Sequence, residues 1–202
     1  MLVLASASPR RRELLAQAGF SFQVHPVDLP EDPLPSEDPI AYVIRLAREK
    51  AQAAFRQLTA AGETTAVNEK LCLDSQSLAV LGADTTVTLD NQILGKPLDA
   101  NDAARMLRLL SGRTHRVLTG VALVTADAVQ VAAEATGVRF LTISDEEIDA
   151  YIATGEPMDK AGAYAIQGRA ARWTSRVEGC YFNVVGLPIA LVTSLLESMP
   201  VS

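Results

Sequence analysis

The chain is poor in the residues that build thiolate and disulfide frameworks: its 202 residues include two cysteines, two histidines and one tryptophan. Cys72 and Cys180 form no recognisable framework and read as reduced thiols. With His25 and His115 the only imidazoles, a zinc site lacks its usual ligands, so any metal should be a hard cation on carboxylates. No apolar stretch approaches the roughly 18 residues that suggest a membrane span. The opening run Leu2–Ala5 is too short for a signal peptide, and arginines follow it rather than precede it. The expectation is a cytoplasmic protein with no membrane partner. A basic excess is missing as well: 18 Lys+Arg stand against 24 Asp+Glu, a net charge of -6. That balance argues against a grip on nucleic-acid backbone, whereas local basic clusters in an acidic whole suit a small anionic ligand.

What is present is an ordinary globular balance, 49% hydrophobic and 21% charged, without repeats or low-complexity segments. The length suits one domain, or two closely packed lobes. Leu2–Ala5 reads as a buried strand, and Ser8-Pro9 opens a helix to about Gln17 with Gly19 beyond it. Residues 26–39 read as a loop. From Asp38-Pro39 the spacing of Ile40, Val43, Ile44, Ala47, Ala51, Ala54, Phe55 and Leu58 predicts a long helix with one buried stripe. Residues 62–77 are polar and aperiodic, a surface excursion. Leu78–Leu89 reads as a strand, Asp90-Asn91-Gln92 as a turn, and Asp99 or Asn101 as the cap of a helix through Leu110. Val117–Val124 and Val129–Leu141 suggest an antiparallel pair, and Ser144 with Glu147 a capping box. Ala163–Ile166 and Cys180–Val185 are further strand candidates, and a last helix starts at Pro188. Helices alternating with strands, some paired as hairpins, imply an α/β fold on a mixed sheet.

Five stretches carry possible chemistry. In Ser8-Pro9-Arg10-Arg11, arginines occupy a helix N-terminus, where the macrodipole disfavours them by a few tenths of a kcal/mol each. They make sense there if an anion arrives, because free backbone N–H groups and guanidinium forks both suit phosphate; a solvated basic face is the plain alternative. Asp84 interrupts an apolar strand in "VLGADTTVTL", costly unless paired or functional, and a strand-borne acid is rigidly placed for a general base or metal ligand. Gly82 would permit close approach of another backbone or a ligand. Lys96 in "LGKP" sits on the rim of a turn, and in "GEPMDKAGAYAIQG" Lys160 could reach a phosphate while Gln167 offers a donor and acceptor to a base edge. Lys50 borders the buried stripe of the long helix and either snorkels or extends into a cleft.

Taken together, "LASASPRRRELL", "RLAREKA", "LGADTTV", "GKP", "LSGRTHRVLTGVAL", "GEPMDKAGAYAIQG" and "VVGLP" resemble, in order and over nearly the whole chain, the Maf family of nucleoside triphosphate pyrophosphatases. The resemblance implies a mixed, elongated sheet with flanking helices, two lobes around a central cleft, as in the inosine-triphosphate pyrophosphatases. It implies hydrolysis of a nucleoside triphosphate to monophosphate plus pyrophosphate with Mg²⁺ or Mn²⁺, in a cytoplasmic homodimer. Ser6, Arg10, Arg11, Lys50, Thr85, Lys96, Lys160 and Gln167 match the substrate-binding positions, and Asp84 the proposed base and a metal ligand. Asp84-Thr85 with Gln167 resembles the dTTP/UTP branch rather than the 7-methyl-GTP branch, and Arg10, Thr85 and Gln167 would discriminate the base. Where the family commonly has adjacent acids, this chain reads "VDLPEDP": Glu31 is the best match for a second metal ligand, with Asp28 and Asp32 as competitors. Residues 62–77 read as an insertion without catalytic meaning. A nucleotide-binding regulator of septum formation is the rival reading; it would not need a strand aspartate beside its cations.

Overall fold

The computed structural model describes residues 1–64 and 78–198. Strand β1 (Leu2–Leu4) feeds helix α1 (Pro9–Gln17), whose N-cap Ser8 accepts a hydrogen bond from the Arg11 N–H while Pro9 fills a position that owes no donor. Strand β2 (Gln23–Val24) is too short for any periodicity to announce it. Helix α2 (Pro39–Thr64) is capped by Asp38, whose Oδ1 accepts from the Ile40 and Ala41 N–H groups at 2.9 and 3.2 Å. It continues through the first three residues of the expected 62–77 excursion; the remainder, 65–77, lies outside the described residues.

Strand β3 (Ala79–Leu89) turns through Asp90 and Asn91, both at positive φ, into β4 (Gln92–Leu94). Short polar side chains tolerate that conformation, and two such residues make the turn whose twist matches paired strands. Asp99, not Asn101, caps α3 (Ala100–Leu110) by accepting from the Asp102 N–H at 2.8 Å. Strands β5 (Thr114–Val124) and β6 (Val129–Phe140) precede α4 (Asp145–Ile152), which carries the expected capping box of Ser144 and Glu147. Then follow β7 (Thr174–Glu178), α5 (Tyr181–Val185) and α6 (Ile189–Glu197). The sheet is mixed, as expected: the order is β2-β1-β3-β5-β6-β7 with β4 on β3. β1 runs parallel to β2 and β3, whereas β3/β4 and β6/β7 are antiparallel.

Two expected strands are not strands. Ala163–Ile166 lies among successive 3-10 turns, with Gly162 at φ 68 and Ala163 at φ 58. Ala163, Tyr164 and Ile166 are nonetheless buried, so the apolar pattern is satisfied by coiling rather than by a ladder. Cys180–Val185 becomes α5, bounded by Gly179 and Gly186, both at positive φ. Its Asn183 side chain, fully buried, donates to the Val117 carbonyl and to Thr136 Oγ1 at 3.0 and 2.9 Å, an arrangement no alternation pattern signals. Strand β7 was missed because its five residues are mostly exposed and polar.

The chain divides into two compact units. One comprises Met1–Asp84, Gly120–Ala133 and the C-terminal helix from Ile189. Its core sets Ala47, Ala51 and Ala54 of α2 against Val3 and Ala5, Leu78 and Val80, and Ala122 and Val124. Alanines let α2 come close, and glycines let it come closer. A Cβ on Gly82 would lie 2.1 Å from the Ala47 carbonyl oxygen, and one on Gly120 2.2 Å from that of Val43. Gly82 therefore serves backbone approach, one of its two expected uses. The other unit, Thr85–Thr119 with Glu134–Pro188, packs α3 on α4 and holds an edge-to-face cluster of His115, Phe140, Tyr164, Trp173 and Tyr151.

Candidate active site

The first unit collects Ser6, Arg10, Arg11, Glu31, Lys50 and Asp84. Asp84 lies on β3 two residues past Gly82, and Lys50 on α2 three past Ala47, so the helix-strand approach at Gly82 brings the two side chains together. Lys50 Nζ donates to Asp84 Oδ1 at 2.7 Å and to Glu31 Oε1 at 2.5 Å. Glu31 is thus the acid among Asp28, Glu31 and Asp32 whose carboxylate shares a cation with Asp84. Lys50 and Asp84 are both buried, while the Glu31 side chain is 41% exposed.

Arg11 answers the oddity of an arginine in the first helical turn. Its guanidinium turns back from α1, and Nη1 donates to Ser6 Oγ at 3.2 Å and to the Ala83 carbonyl at 2.8 Å. The Ser6 hydroxyl also accepts from the Ser8 N–H at 3.2 Å, which sets the loop between β1 and α1. Arg11 therefore ties that loop to the residue next to Asp84 as well as bringing charge. Arg10 is half-buried and Arg12 exposed, as a solvated residue should be.

Burial dominates the electrostatics. It pushes the Asp84 carboxyl above the ordinary aspartate value, against the opposing pull of Lys50 and Arg11, with the nearby Glu31 charge adding to the rise. Burial likewise lowers the Arg11 guanidinium, and Asp84 partly restores it. A desolvated carboxylate with a raised pKa beside two cations is a recognised mark of proton-transfer sites, although structural ion pairs share it.

Among the described residues no group of three or more His, Cys, Asp or Glu side chains is placed to hold a metal ion. Mg²⁺, however, usually binds proteins through one or two carboxylates and completes its shell with water and substrate phosphates. Glu31 and Asp84, two hard oxygen donors converging on one cationic group, fit that need.

The second unit holds Thr85, Lys96, Lys160 and Gln167. Thr85 Oγ1 lies 2.9 Å from Thr119 Oγ1 and donates to the Gly186 carbonyl at 3.3 Å. The loops carrying Lys96 and Lys160 are joined by a hydrogen bond from the Gly162 N–H to the Gly95 carbonyl at 3.0 Å. Lys160 pairs with its neighbour Asp159, and Lys96 and Gln167 are exposed. The Gln167 turn is pinned from below: Glu156 accepts from the Arg169 N–H at 3.1 Å and from the Tyr151 hydroxyl at 2.7 Å. A Cβ at position 168 would meet the Glu156 carboxylate at 1.9 Å, so a larger residue there would displace that side chain from its hydrogen bonds.

The family model described as Maf-like protein matches residues 1–199. The chain belongs to the Maf family. This Maf chain is 51% identical over 196 residues to the dTTP/UTP pyrophosphatase of Koribacter versatilis, covering 97% of this chain and 93% of that protein. It is 49% identical over 200 residues to the dTTP/UTP pyrophosphatase of Geobacter metallireducens, covering 98% and 95%. A third relative, the dTTP/UTP pyrophosphatase of Hahella chejuensis, is 49% identical over 196 residues, covering 97% and 90%. Among the described residues of the Maf chain no helix is long and apolar enough to cross a membrane.

Sequence reasoning missed Tyr42, Glu37 and Arg45 around this site. The Tyr42 hydroxyl donates to the Glu31 carbonyl at 2.8 Å, and Arg45 pairs with Glu37. The available signal was helical spacing: Tyr42 and Arg45 stand three apart on α2 and so are neighbours on its surface.

Proposed function

We propose that this chain hydrolyses dTTP and UTP to the nucleoside monophosphate and pyrophosphate. The observation that carries the reading is Asp84, buried with its carboxyl raised between Lys50 and Arg11. The names of relatives half-identical over nearly the full length supply the substrate class.

Asp84 takes a proton from a water whose oxygen bonds to the α-phosphorus, while the bond from that phosphorus to the β-bridging oxygen breaks and pyrophosphate leaves with the electron pair. Arg10, Arg11 and the backbone N–H groups at the α1 N-terminus favour the phosphate chain's negative charge, with Ser6 orienting Arg11. Lys50 favours the ionised form of Asp84 against burial and holds it in place. Glu31 and Asp84 are the residues that would hold Mg²⁺ or Mn²⁺; when bound, such an ion neutralises charge on the phosphoryl oxygens. Thr85, Lys96, Lys160 and Gln167 enter from sequence resemblance, the lysines for phosphate and Thr85 and Gln167, with Arg10, for the base. The homodimer and the cytoplasmic location belong to the same proposal.

Pyrophosphate release should be measured with Mg²⁺ or Mn²⁺ on dTTP, UTP, CTP and 7-methyl-GTP. The pyrimidine pair dTTP and UTP should be turned over best, and Asp84→Asn should cut kcat by at least ~10²–10³-fold with the circular dichroism spectrum unchanged. Near-normal release from that variant would sink the role of Asp84. No turnover of any nucleotide, with binding retained, would favour a regulator instead.

A further inference from the structure

The segment 25–38 that carries Glu31 forms no strand or helix, so no ladder places its carboxylate. Its position comes from side chains of α2. The Tyr42 hydroxyl, on a residue only 7% exposed, donates to the Glu31 carbonyl at 2.8 Å. Arg45 Nη2 donates to the Asp32 carbonyl at 3.1 Å. The Arg45 fork also grips Glu37 through both carboxylate oxygens, Nε to Oε1 at 2.6 Å and Nη2 to Oε2 at 2.7 Å. Glu37 in turn accepts from the Leu34 N–H at 2.9 Å, closing the loop on itself with Ser36 at positive φ. Glu49, one turn on, holds Arg45 Nη1 at 3.3 Å, and the guanidinium lies 5.7 Å from the Tyr42 ring centroid. Lys50 completes the line at the Glu31 carboxylate.

We propose that Tyr42 and Arg45 are positioning residues: with Lys50 they form a three-point clamp on α2 that sets where the Glu31 carboxylate stands relative to Asp84. The clamp rests on the reading of Glu31 as a metal-binding acid. Its physical basis is that a flexible acid must be ordered before a cation gains from it, and that ordering cost falls on binding unless the protein has already met it. Groups that orient a metal ligand without touching the metal typically change affinity 10–100-fold when removed. A bidentate Arg–carboxylate pair and a buried hydroxyl are ties stiff enough to act in this way. Burial and the neighbouring Asp84 and Glu31 charges push the Tyr42 phenol up, so it stays a donor across the working pH range.

The test is Mn²⁺ binding, read by electron paramagnetic resonance in the presence of α,β-imido-dUTP, so that no turnover is needed, with thermal melting in parallel. Tyr42→Phe and Arg45→Met should each weaken Mn²⁺ binding about 10–100-fold, as should Glu31→Gln. Adding Tyr42→Phe to Glu31→Gln should change nothing further, because the acid being positioned is already gone. Arg45→Lys, which keeps the charge but not the fork, should not rescue. If Tyr42→Phe and Arg45→Met lower the melting temperature but leave Mn²⁺ binding intact while Glu31→Gln weakens it, the clamp is merely structural and the inference fails. If Glu31→Gln also leaves Mn²⁺ binding intact, the metal role of Glu31 fails and the inference with it.

Discussion

Replacing Gly82 by alanine is the sharpest test of how the site is assembled. The added Cβ would stand 2.1 Å from the Ala47 carbonyl oxygen and 2.9 Å from both the Ala51 Cβ and its amide nitrogen. Two of those three atoms are backbone, so no rotamer change relieves the overlap. α2 must retreat from β3 by more than an ångström, opening a core in which Ala47 and Ala51 are fully buried. Overpacking of this kind costs about 1–3 kcal/mol. The retreat also carries Lys50 away from Asp84, two residues along the strand, and stretches a 2.7 Å contact. An ångström of misplacement in a reacting constellation can cost about 10²-fold in rate. Gly137→Ala is the control, since its Cβ would make only ordinary contacts, the nearest at 3.7 Å. Urea unfolding should show Gly82→Ala destabilised by about 1–3 kcal/mol and Gly137→Ala within about 1 kcal/mol of the parent. Pyrophosphate release should fall about 10²-fold in the first variant only. Equal midpoints and equal turnover in both variants would refute the argument that the approach at Gly82 sets the Lys50–Asp84 pair.

Lys50→Met should move the acid limb of kcat/KM to higher pH. Lys50 is the strongest influence holding the Asp84 pKa down against burial, so without it the carboxyl protonates sooner as pH falls; an unmoved limb would show that Asp84 is not the titrating base. The same shift carries a stability sign: an acid whose folded pKa is raised contributes stability that is present below its unfolded value and lost as pH rises through the folded one. Lys50→Met should therefore gain stability on acidification relative to the parent, as denaturant midpoints across that range will show. His115 should do the reverse. Burial lowers it from 6.5 to about 4, so its contribution is fully present above pH 6.5 and is lost as pH falls towards 4. The loss is about 3 kcal/mol for such a shift. His115→Phe should remove that slope, and identical slopes in parent and variant would contradict it.

Where a feature depended on neighbours in the chain, it was legible. The caps at Ser8, Asp38, Asp99 and Ser144 need only a short side chain within three residues of a free N–H, and the Asp90-Asn91 turn needs only two residues that tolerate positive φ. The strand readings at Ala163–Ile166 and Cys180–Val185 failed because apolar spacing reports burial, and burial is equally available to 3-10 turns and to a short helix between glycines. Asp84 and Lys50 stood out as unusual in their elements. That they share a hydrogen bond did not, because they are 34 residues apart and meet only through the approach of α2 to β3.

Residue types and their order along the chain determined the family, the mixed α/β class and an inventory of chemically able side chains. Tertiary structure decided which acid meets Lys50 and where the Arg11 guanidinium is anchored. Resemblance favours Glu31 but leaves Asp28 and Asp32 in competition, since their segment has no periodicity and nothing local ties it to α2. Only packing puts Glu31 on Lys50. Arg11 reads as charge awaiting an anion, yet its guanidinium spans 72 residues of sequence to the Ala83 carbonyl. Local propensity is a property of a few neighbouring residues and can be read from them. A buried contact between distant residues depends on how closely two backbones approach, which here is set by alanines on α2 and by glycines on the strands it crosses.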